Sequence, residues 1–294
     1  MNIGILASEG SWYFRDLERA AISRGYACTR LDFERLVANV TTTTATIRST
    51  SDVETTSSSR FDLILVRTMP PGSLEQVVYR MDLLSRWETS GVRVVNSPKS
   101  LECAVDKYLT TARLQAAGLP VPETIVCEHE GDALTAFAQL GGDVVVKPLF
   151  GSEGRGIVRV TDLDLAHRTF RTLMRLHAVL YLQRFVDHGG FDVRILVLDG
   201  RVLGGMRRCS PDDFRTNVSR AAIAEPHQPT GAEIDLALRA AATTNAFIAG
   251  VDLLYDRAGH CYVIEVNAVP GWQAFGRVNG IDVAASLLDR LAVR

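Results

Sequence analysis

The first third of the chain alternates short apolar runs with longer stretches of mixed polarity. Short apolar runs predict buried strands, whereas apolar residues repeating at helical spacing predict helices. The predicted strands are 3–7, 26–31, 61–66 and 92–95, and the predicted helices are 14–23 and 74–87. Because strands that alternate with helices pair in parallel beneath helices on both faces, this region predicts a mostly parallel sheet.

Residues 39–60, between the second and third predicted strands, consist largely of threonine and serine. This composition favours a flexible surface loop, whereas the β-branched threonines favour an edge strand. We prefer the loop, keep the strand as the alternative, and assign no chemistry to the segment.

Asn96-Ser97-Pro98 predicts a junction, because the residue before a proline avoids helical geometry. The pattern then changes from regular alternation to mixed helices and clustered strands. The predicted helices are 106–117, 132–140, 163–176, 233–246 and 283–291. The predicted strands are 124–127, 144–146, 179–186, 192–198, 202–206, 250–255 and 263–267, with one more strand between the glycine-rich segment and helix 163–176. The N-terminal part is therefore α/β in class, and the C-terminal part has α+β character.

The last two predicted strands each carry a carboxylate within an apolar run, at Asp252 and Glu265. A two-residue turn at 258–259 places these side chains directly opposite each other, with Asn267 about 6.6 Å farther along the same face. Because opposed like charges destabilise a hairpin, the pairing requires a reason. Two carboxylates and an amide oxygen suit Mg²⁺. The alternative is that one acid pairs with an arginine while the other faces water.

A candidate phosphate site begins where strand 144–146 runs into Lys147 and a glycine-rich loop. The loop glycines are Gly151, Gly154 and Gly156. Glycine lets backbone N–H groups close on phosphate oxygens, and lysine supplies a compact positive charge. Neither the P-loop pattern nor the dinucleotide glycine pattern is present. Lys107 begins another predicted helix, whose N-terminal dipole favours anions. A plain hairpin turn and an exposed lysine are the alternatives.

An apolar strand at 181–186 suits an adenine base, although an unliganded core strand has the same composition. Arginines crowd the stretch that follows, and guanidinium forks suit carboxylates and phosphates. They are Arg194, Arg207, Arg208, Arg215 and Arg220, with Asn217 among them. Solvated arginines at strand edges are the alternative.

Composition narrows the class of protein. The chain has 47% hydrophobic and 22% charged residues and a formal charge of −2, which is ordinary for a globular protein and gives no basic field for nucleic acid. Its five cysteines are scattered, as expected of reduced thiols. The first residues do not form a signal peptide, and no 18-residue apolar run exists to span a membrane. We therefore expect a cytoplasmic protein.

Several motifs, in the same order, resemble the RimK-like family of α-L-glutamate ligases within the ATP-grasp superfamily. They are DKYLTTARLQAAGLPVPET, VVVKPLFGSEGRGI, YLQRFV, FDVRILVLDG, DDFRTNVSRA, AGVDLL and VIEVNAVPGW. The resemblance runs from residue 97 to the C terminus and extends more loosely through VRTMPPGSLEQVVYRMD. It implies a parallel-sheet pre-ATP-grasp domain over 1–96. A central ATP-grasp subdomain over 97–180 and a C-terminal subdomain over 181–294 would follow.

The resemblance also implies roles for individual residues. The implied nucleotide-binding residues are Lys107, Lys147, Gly151, Gly154, Gly156, Arg184, Phe185, Asp192, Arg215, Thr216 and Asn217. The implied ligands of two Mg²⁺ ions, with Mn²⁺ as an alternative, are Asp252, Glu265 and Asn267. The implied catalytic arginines are Arg220 and Arg194. Ala221-Ala222 stands where the family commonly has two glycines, so the amine-substrate loop differs here.

The implied activity is an ADP-forming ligase, which activates a carboxylate as an acyl phosphate and couples it to an amine. L-glutamate is the expected amine and a small carboxylate the expected acceptor, with VRTMPPGSLEQ favouring a pterin cofactor. Alternative acceptors are a protein C terminus and an amino-acid carrier, as in lysine or arginine biosynthesis. A nucleotide-binding regulator without turnover and a non-nucleotide scaffold represent different classes. Homo-oligomerisation stays open.

Overall fold

The computed structural model describes residues 1–50, 56–57, 61–151, 154–210, 213–215 and 223–293. The chain forms two compact units. Unit 1 comprises Met1–Glu102, Asn245–Ile248 and Ala268–Arg294, and unit 2 comprises Cys103–Thr244 and Ala249–Asn267. The C-terminal segment thus belongs to the same unit as the N-terminal residues. The three-domain boundaries inferred from the sequence stay a prediction.

Strands and helices alternate in unit 1, and strands are clustered in unit 2. The strands are β1 (Asn2–Leu6), β2 (Ala27–Leu31), β3 (Leu36–Val40), β4 (Ala45–Ser49), β5 (Thr56–Ser57), β6 (Leu63–Val66), β7 (Arg93–Val95), β8 (Thr124–Cys127), β9 (Val144–Lys147), β10 (Val158–Val160), β11 (Leu180–Arg184), β12 (Phe191–Leu198), β13 (Arg201–Cys209), β14 (Ile223–His227), β15 (Ile248–Tyr255) and β16 (Cys261–Asn267). The helices are α1 (Trp12–Ile22), α2 (Leu74–Thr89), α3 (Pro98–Val105), α4 (Lys107–Ala116), α5 (Glu130–Gln139), α6 (Leu163–Arg175), α7 (Gly231–Thr243), α8 (Gln273–Asn279) and α9 (Val283–Ala292).

The N-terminal sheet is parallel throughout, in the order β2-β1-β6-β7, as the alternation of the sequence predicts. Its central strands are apolar apart from Asn2 at the start of β1, and Ile5, Leu6 and Ile64 are fully buried. Such continuous burial is typical of a parallel sheet covered on both faces. The predicted α/β class of this unit is confirmed.

The threonine-rich segment departs from its preferred interpretation. Strands β3 and β4 pair as an antiparallel hairpin from Leu36↔Ser49 to Val40↔Ala45, and β5 adds to the sheet. The Thr41 N–H donates to the Thr44 carbonyl oxygen at 2.7 Å and closes the turn. Ile47 is buried within β4. The prediction of a loop was wrong for these strands, because β-branched residues that alternate around a buried position form a sheet despite a polar composition.

In unit 2, a four-stranded sheet in the order β10-β9-β11-β8 separates an apolar layer from a polar face. Helices α5 and α6 cover the apolar side, where Val144, Val146, Leu180 and Leu182 pack in one cluster with Phe170. Because side chains alternate across a strand, the intervening residues of β9 and β11 project from the opposite side. That opposite side carries the polar residues of the candidate site.

The second sheet of unit 2 has the order β14-β13-β12-β15-β16, and its paired strands β12–β13, β13–β14 and β15–β16 are antiparallel. Gly205 on β13 lies against β14, where an added Cβ would meet the His227 carbonyl oxygen at 2.8 Å. Glycine at this position therefore permits the two strands to approach. The sequence patterns missed β14, together with helices α3 and α8.

The predicted junction at 96–98 is followed directly by helix α3, which begins at Pro98. Proline is well suited to the first turn of a helix, because the N–H group it lacks has no partner there in any case. Within the described part of the chain, no helix is both long enough and apolar enough to cross a membrane.

Candidate active site

One half-buried lysine lies on the polar face of the four-stranded sheet. The Lys147 Nζ donates to the Gln183 side-chain oxygen at 2.6 Å. Gln183 is 4% exposed, and its amide nitrogen donates to the hydroxyl of Thr124 at 3.0 Å and to that of Tyr181 at 3.2 Å. The register pairs Lys147 with Tyr181, which explains why these groups share one face. The lysine is thus held by a neutral acceptor that is itself fixed on both sides.

The second lysine stands at the start of α4. Asp106 caps this helix by accepting the Leu109 N–H at 2.9 Å. The Lys107 Nζ donates to the Gly151 carbonyl oxygen at 2.8 Å. The glycine-rich loop is therefore tied to the helix through the lysine side chain.

Burial shapes the charge of both lysines. It lowers the pKa of Lys147 to about 8, with Lys107 adding repulsion and Glu265 opposing the shift. It also lowers the pKa of Lys107, again partly offset by Glu265. Neither lysine forms a salt bridge with a carboxylate of the described residues. Two ammonium groups with only neutral partners form a site for an oxyanion.

The loop that follows β9 has the backbone geometry that glycine permits. Gly154 and Gly156 have φ angles of +68° and +73°. An added Cβ on Gly156 would lie 3.4 Å from the Pro148 ring. Residues 152–153 lie outside the described part. The left-handed turns favour exposed N–H groups, which suits a phosphate cover.

Aromatic groups form the other end of the site. The Phe185 ring lies 6.2 Å from the ring of Phe214 and 6.1 Å from that of His188, and the Arg159 guanidinium stacks on it at 3.5 Å. Arg184 pairs with Val144, three positions along β9 from Lys147. That separation is roughly 10 Å along a strand. The site therefore has a cationic end and an aromatic end.

Main-chain donors at the aromatic end are partly occupied. The N–H groups of Arg184 and Phe185 donate to the carbonyl oxygens of Glu123 and Asp143 at 2.8 and 3.0 Å. The Arg184 side chain forms an exposed ion pair with Glu123. A base bound here would therefore not use those two N–H groups.

The carboxylate hairpin has the predicted central pair. Asp252 lies directly opposite Glu265. The turn is longer than predicted, because Asp256 is joined to His260 and Tyr255 pairs with Cys261 rather than Tyr262. A bulge after Asp252 restores the register.

Ile264 is the extra residue of this bulge, since Leu253 already pairs with Val263. Both Ile264 and Glu265 line the same pocket as Asp252. A bulge re-aims neighbouring side chains in this way, and here it brings an apolar residue beside the carboxylate.

Asp252 belongs to a buried cluster of ion pairs. Arg194 donates to both its carboxylate oxygens at 2.6 Å, and Arg208 donates to Oδ2 at 2.8 Å. Arg208 also forms a bidentate pair with Asp192, whose Oδ1 accepts from Nε at 2.6 Å. The arginine-pairing alternative therefore describes Asp252, whereas Glu265 has no such partner in the described residues.

The cluster fixes the ionisation of its members. Burial alone would raise the pKa of Asp252, but Arg194 and Arg208 hold it at about 2. Burial likewise opposes the charge of Arg208, but Asp252 and Asp192 raise its pKa above the ordinary value. Asp252 and Arg208 are therefore held in their charged forms, and the cluster pairs two carboxylates with two guanidinium groups.

These groups fit a small, hard cation. Glu265 is half-buried, has no ion pair among the described residues, and lies close enough to both lysines to shift their pKa values. Among the described residues, Asp252 Oδ1 accepts a side-chain hydrogen bond from Arg194 alone, so it can still bind one further group. No cluster of three His, Cys, Asp or Glu side chains in the described ranges could hold a metal. Mg²⁺ requires few protein oxygens when phosphate and water complete its shell.

Most of the predicted site residues meet around one pocket. Those that line it are Lys107, Lys147, Gly151, Gly154, Arg184, Phe185, Asp192, Arg215, Asp252 and Glu265. Gly156, Arg194 and Asn267 are not among its lining residues, although Gly156 belongs to the loop and Arg194 binds Asp252. Thr216, Asn217 and Arg220 lie outside the described residues, as does Ala221-Ala222.

Two residues that were predicted to bind the nucleotide already form ion pairs within the protein. The Asp192 carboxylate is held by Arg208, and the Arg215 guanidinium holds Asp213 at 2.8 to 3.0 Å. Sequence reasoning missed Gln183 and His188, which also line the pocket. Strand alternation from Tyr181 is a signal that could have found Gln183.

Comparison with known proteins agrees with this geometry. Residues 104–291 match the RimK-like ATP-grasp domain, and residues 1–101 match the RimK PreATP-grasp domain. The chain belongs to the RimK-like ATP-grasp family. Members of this family are ATP-grasp ligases, and the predicted enzyme class is confirmed.

Similar proteins of the RimK-like family include two curated relatives. The probable alpha-L-glutamate ligase of Thioalkalivibrio sulfidiphilus is 32% identical over 98% of this chain and 94% of its own length. The tetrahydromethanopterin:alpha-L-glutamate ligase of Methanococcus maripaludis is 30% identical over 98% of this chain and 97% of its own.

Solved structures show the same fold. A RimK domain ATP-grasp protein from Sphaerobacter thermophilus has a TM-score of 0.75 at 23% identity, covering 98% of each chain. The ATP-grasp ligase PsnB, complexed with a precursor variant, Mg and ADP, has a TM-score of 0.75 at 21% identity, covering 99% of this chain and 97% of its own. The predicted ATP-grasp architecture is therefore confirmed.

Proposed function

We propose that this RimK-like ligase uses ATP to activate a carboxylate as an acyl phosphate and then joins it to L-glutamate. The proposal rests on Lys107 and Lys147, which have no carboxylate partner in the described part of the chain and stand at one end of a pocket whose other end is aromatic. The roughly 10 Å between these ends suits a nucleotide whose base and terminal phosphates are bound separately.

In this arrangement the two lysines hold the phosphates, and Phe185 packs against the base. The Lys107 Nζ already contacts the Gly151 carbonyl, so the lysine that binds a phosphate also positions the loop over it. Such a loop excludes water, which protects an acyl phosphate from hydrolysis.

Glu265 is the main candidate ligand for Mg²⁺, with Asp252 Oδ1 as the second and Asn267 at the end of the same strand. Bound Mg²⁺ would supply positive charge beside the phosphate oxygens. Arg194 and Arg208 keep Asp252 ionised and hold its carboxylate in place. We propose two ions, following the family resemblance, and assign Arg220 to stabilise the acyl phosphate.

The names of the relatives support the donor and suggest the acceptor. Both curated relatives described above are named glutamate ligases, and one is named for tetrahydromethanopterin. We therefore propose a small carboxylate acceptor and favour a reduced pterin. A peptide is the second candidate, because one PsnB structure is a complex with a precursor peptide.

The test is incubation of the full chain with ATP, Mg²⁺, L-glutamate and each candidate acceptor, followed by mass spectrometry. One glutamyl residue should be added to the pterin acceptor, with one ADP formed for each amide bond. Lys147→Met should slow formation of the product by about 10²–10³-fold, whereas Lys99→Met, at an exposed lysine of α3, should not.

Glutamylation of peptides alone would select the second candidate acceptor. ADP formation without any amide product would contradict the ligase proposal for these substrates.

A further inference from the structure

Unit 1 contains a buried arginine that the ligase site does not use. Arg67 follows β6 directly and is 8% exposed. Its Nη2 donates to the Pro270 carbonyl oxygen at 2.6 Å, while its Nε is enclosed without a hydrogen-bond partner. The guanidinium lies 4.0 Å from the Trp272 ring centroid and 5.0 Å from that of Tyr13. Aromatic rings and one carbonyl are thus its surroundings.

The charge of Arg67 has no counter-ion within the described residues. Asp16 lies in the same unit, but it accepts from the Trp272 indole at 2.9 Å and pairs with Arg19. Burial lowers the pKa of Arg67 to about 10, so the group is still protonated at neutral pH. A buried cation without an anion is unfavourable, and its retention favours a role in binding an anion from outside the chain.

The position of Arg67 in the sheet is one where ligands bind. The chain leaves β1 for β2 on one side and returns to β6 on the other, so the strand order reverses between β1 and β6. In open parallel sheets, ligands occupy the crevice beyond the carboxyl ends of strands at such a point. Arg67 stands there, because its backbone N–H donates to the Leu6 carbonyl at the end of β1.

The neighbouring elements add to this environment. Helix α1 begins at Trp12 just after β1, with Ser11 accepting the Phe14 N–H as its cap. Its N-terminal dipole favours negative charge in the same region. Trp12 and Tyr13 are half-buried and in edge-to-face contact, with ring centroids 5.3 Å apart. A ligand beside Arg67 would therefore meet aromatic side chains.

We propose that Arg67 binds the carboxylate of a small organic acid whose adjoining group is planar or apolar. The carboxylate would accept hydrogen bonds from the guanidinium at the carboxyl ends of β1 and β6, and the aromatic side chains would contact the rest of the ligand. The proposal concerns unit 1 alone and does not rest on turnover by the ligase.

A purely structural role for Arg67 is the opposing interpretation. Arg80 on α2 provides a matched comparison, because it is 3% exposed and its Nη1 donates to the Pro70 carbonyl oxygen at 2.6 Å. It also lacks a carboxylate partner among the described residues. Unlike Arg67, it has no enclosed orphan nitrogen and does not follow a strand of the sheet. A structural role predicts that the two arginines respond alike to substitution.

The test is a titration of the full chain, without ATP, with benzoate, benzamide and inorganic phosphate at constant ionic strength, followed by tryptophan fluorescence. Benzoate should give a saturable change, because Trp272 lies against the guanidinium, whereas neutral benzamide should not. Arg67→Met should weaken benzoate binding at least about tenfold, and Arg80→Met should leave it unchanged. Arg67→Lys retains the charge and should bind with intermediate affinity.

Circular dichroism should show that each variant is folded. Equal benzoate binding by wild type and Arg67→Met would overturn the proposal, as would a wild type that benzoate does not saturate. Stronger binding of phosphate than of benzoate would overturn the carboxylate assignment. In the ligase assay, the substrate whose KM rises in Arg67→Lys would be the one that supplies the carboxylate. This readout is separate from fluorescence, so failure of the ligase and failure of the carboxylate site are distinguishable.

Discussion

In unit 2, two arginines of the five-stranded sheet and the lysine of the four-stranded sheet differ in whether they have partners of opposite charge. On the five-stranded sheet, Arg194 and Arg208 are matched by Asp192 and Asp252 at hydrogen-bond distance. On the four-stranded sheet, the described residues give the Lys147 ammonium no carboxylate, and it donates to the neutral oxygen of Gln183. In this balanced cluster of arginines and aspartates, each charge lies against an opposite charge, and the paired groups can hold the sheet rigid. Lys147 is an unbalanced cation, whose missing negative charge a bound ligand can supply.

The cationic residue is arginine in the balanced cluster and lysine at the unbalanced position. Only three of the 32 lysine and arginine residues are lysines, and two of these three are Lys107 and Lys147. Arginine serves where a planar fork must pair with a carboxylate, as in the Arg208–Asp192 pair. Lysine stands where a compact point charge faces the pocket. The scarcity of lysine makes these two positions informative.

The largest effect should come from breaking the balanced cluster. Arg208→Leu removes the bidentate guanidinium from Asp192 and one of the two arginines that hold Asp252, so the free energy of unfolding should fall by about 3–5 kcal/mol. Urea denaturation at pH 7 measures it. The double variant Arg208→Leu/Asp192→Leu should recover part of the loss, because the buried carboxylate that Arg208 compensates is removed with it. A single variant within about 0.5 kcal/mol of wild type would refute the division between the sheets.

Removing the unbalanced cation should affect activity rather than folding. Lys147→Met should lower kcat/KM for ATP by about 10²–10³-fold, the effect of losing a charge that stabilises the transferring group. Its thermal stability should not fall, because the charged form of Lys147 is already disfavoured by burial. Steady-state kinetics and a thermal melt test both parts. Lys99→Met is the control and should match wild type in both.

The neutral partner of Lys147 should have an intermediate effect. Gln183→Met removes the acceptor of the ammonium and the donor to Thr124 and Tyr181. We expect a loss of about 1–3 kcal/mol of stability and a higher KM for ATP, because the lysine loses its orientation. Gln183→Glu should instead pair with Lys147 and weaken nucleotide binding while retaining stability. Nucleotide affinity that is unchanged in both variants would contradict this role.

The smallest effect is a dependence on pH. Because the pKa of Lys147 is about 8, its charge is lost as the pH rises through that value. The affinity for an ATP analogue should fall about fourfold between pH 7 and pH 8.5. Calorimetry measures it, and Lys147→Arg, which stays charged, should show a flatter profile.

The same pKa has the opposite effect on folding. Lys147 binds fewer protons in the folded state than in the unfolded state between about pH 8 and pH 10.4. Its contribution to stability should therefore rise with pH across that window. Stability that falls across the window in wild type but not in Lys147→Met would refute the assigned pKa.

The sequence predicted that Asp252 and Glu265 face each other, but it did not predict the turn and the bulge that produce this pairing. A two-residue turn gives Asp252 opposite Glu265, whereas the protein combines a longer turn with a bulge at Ile264 and reaches the same pair. Two deviations of one residue cancel, and neither has a distinct signature in the residues. The pairing of polar groups within apolar strands was therefore a safer guide than the turn itself.

The ion-pair partners of the buried arginines could not be predicted from the sequence. The amino-acid sequence does not show that Arg208 contacts both Asp192 and Asp252. These contacts depend on the register of β12 with β13 and on the neighbouring strand β15. By contrast, Lys147 could be placed, since it ends a buried strand just before a glycine-rich loop. The local sequence pattern therefore predicted the unbalanced cation, Lys147. The balanced cluster depends on strand pairing between residues that are distant in the sequence.

The most direct test of the proposed nucleotide site is a crystal structure of the full chain with Mg²⁺ and a non-hydrolysable ATP analogue. Phosphate oxygens should lie within hydrogen-bond distance of the Lys107 and Lys147 ammonium groups, a metal ion should bind the Glu265 carboxylate, and Arg208 should still hold Asp252. A nucleotide bound away from both lysines, with no cation at Glu265, would contradict it.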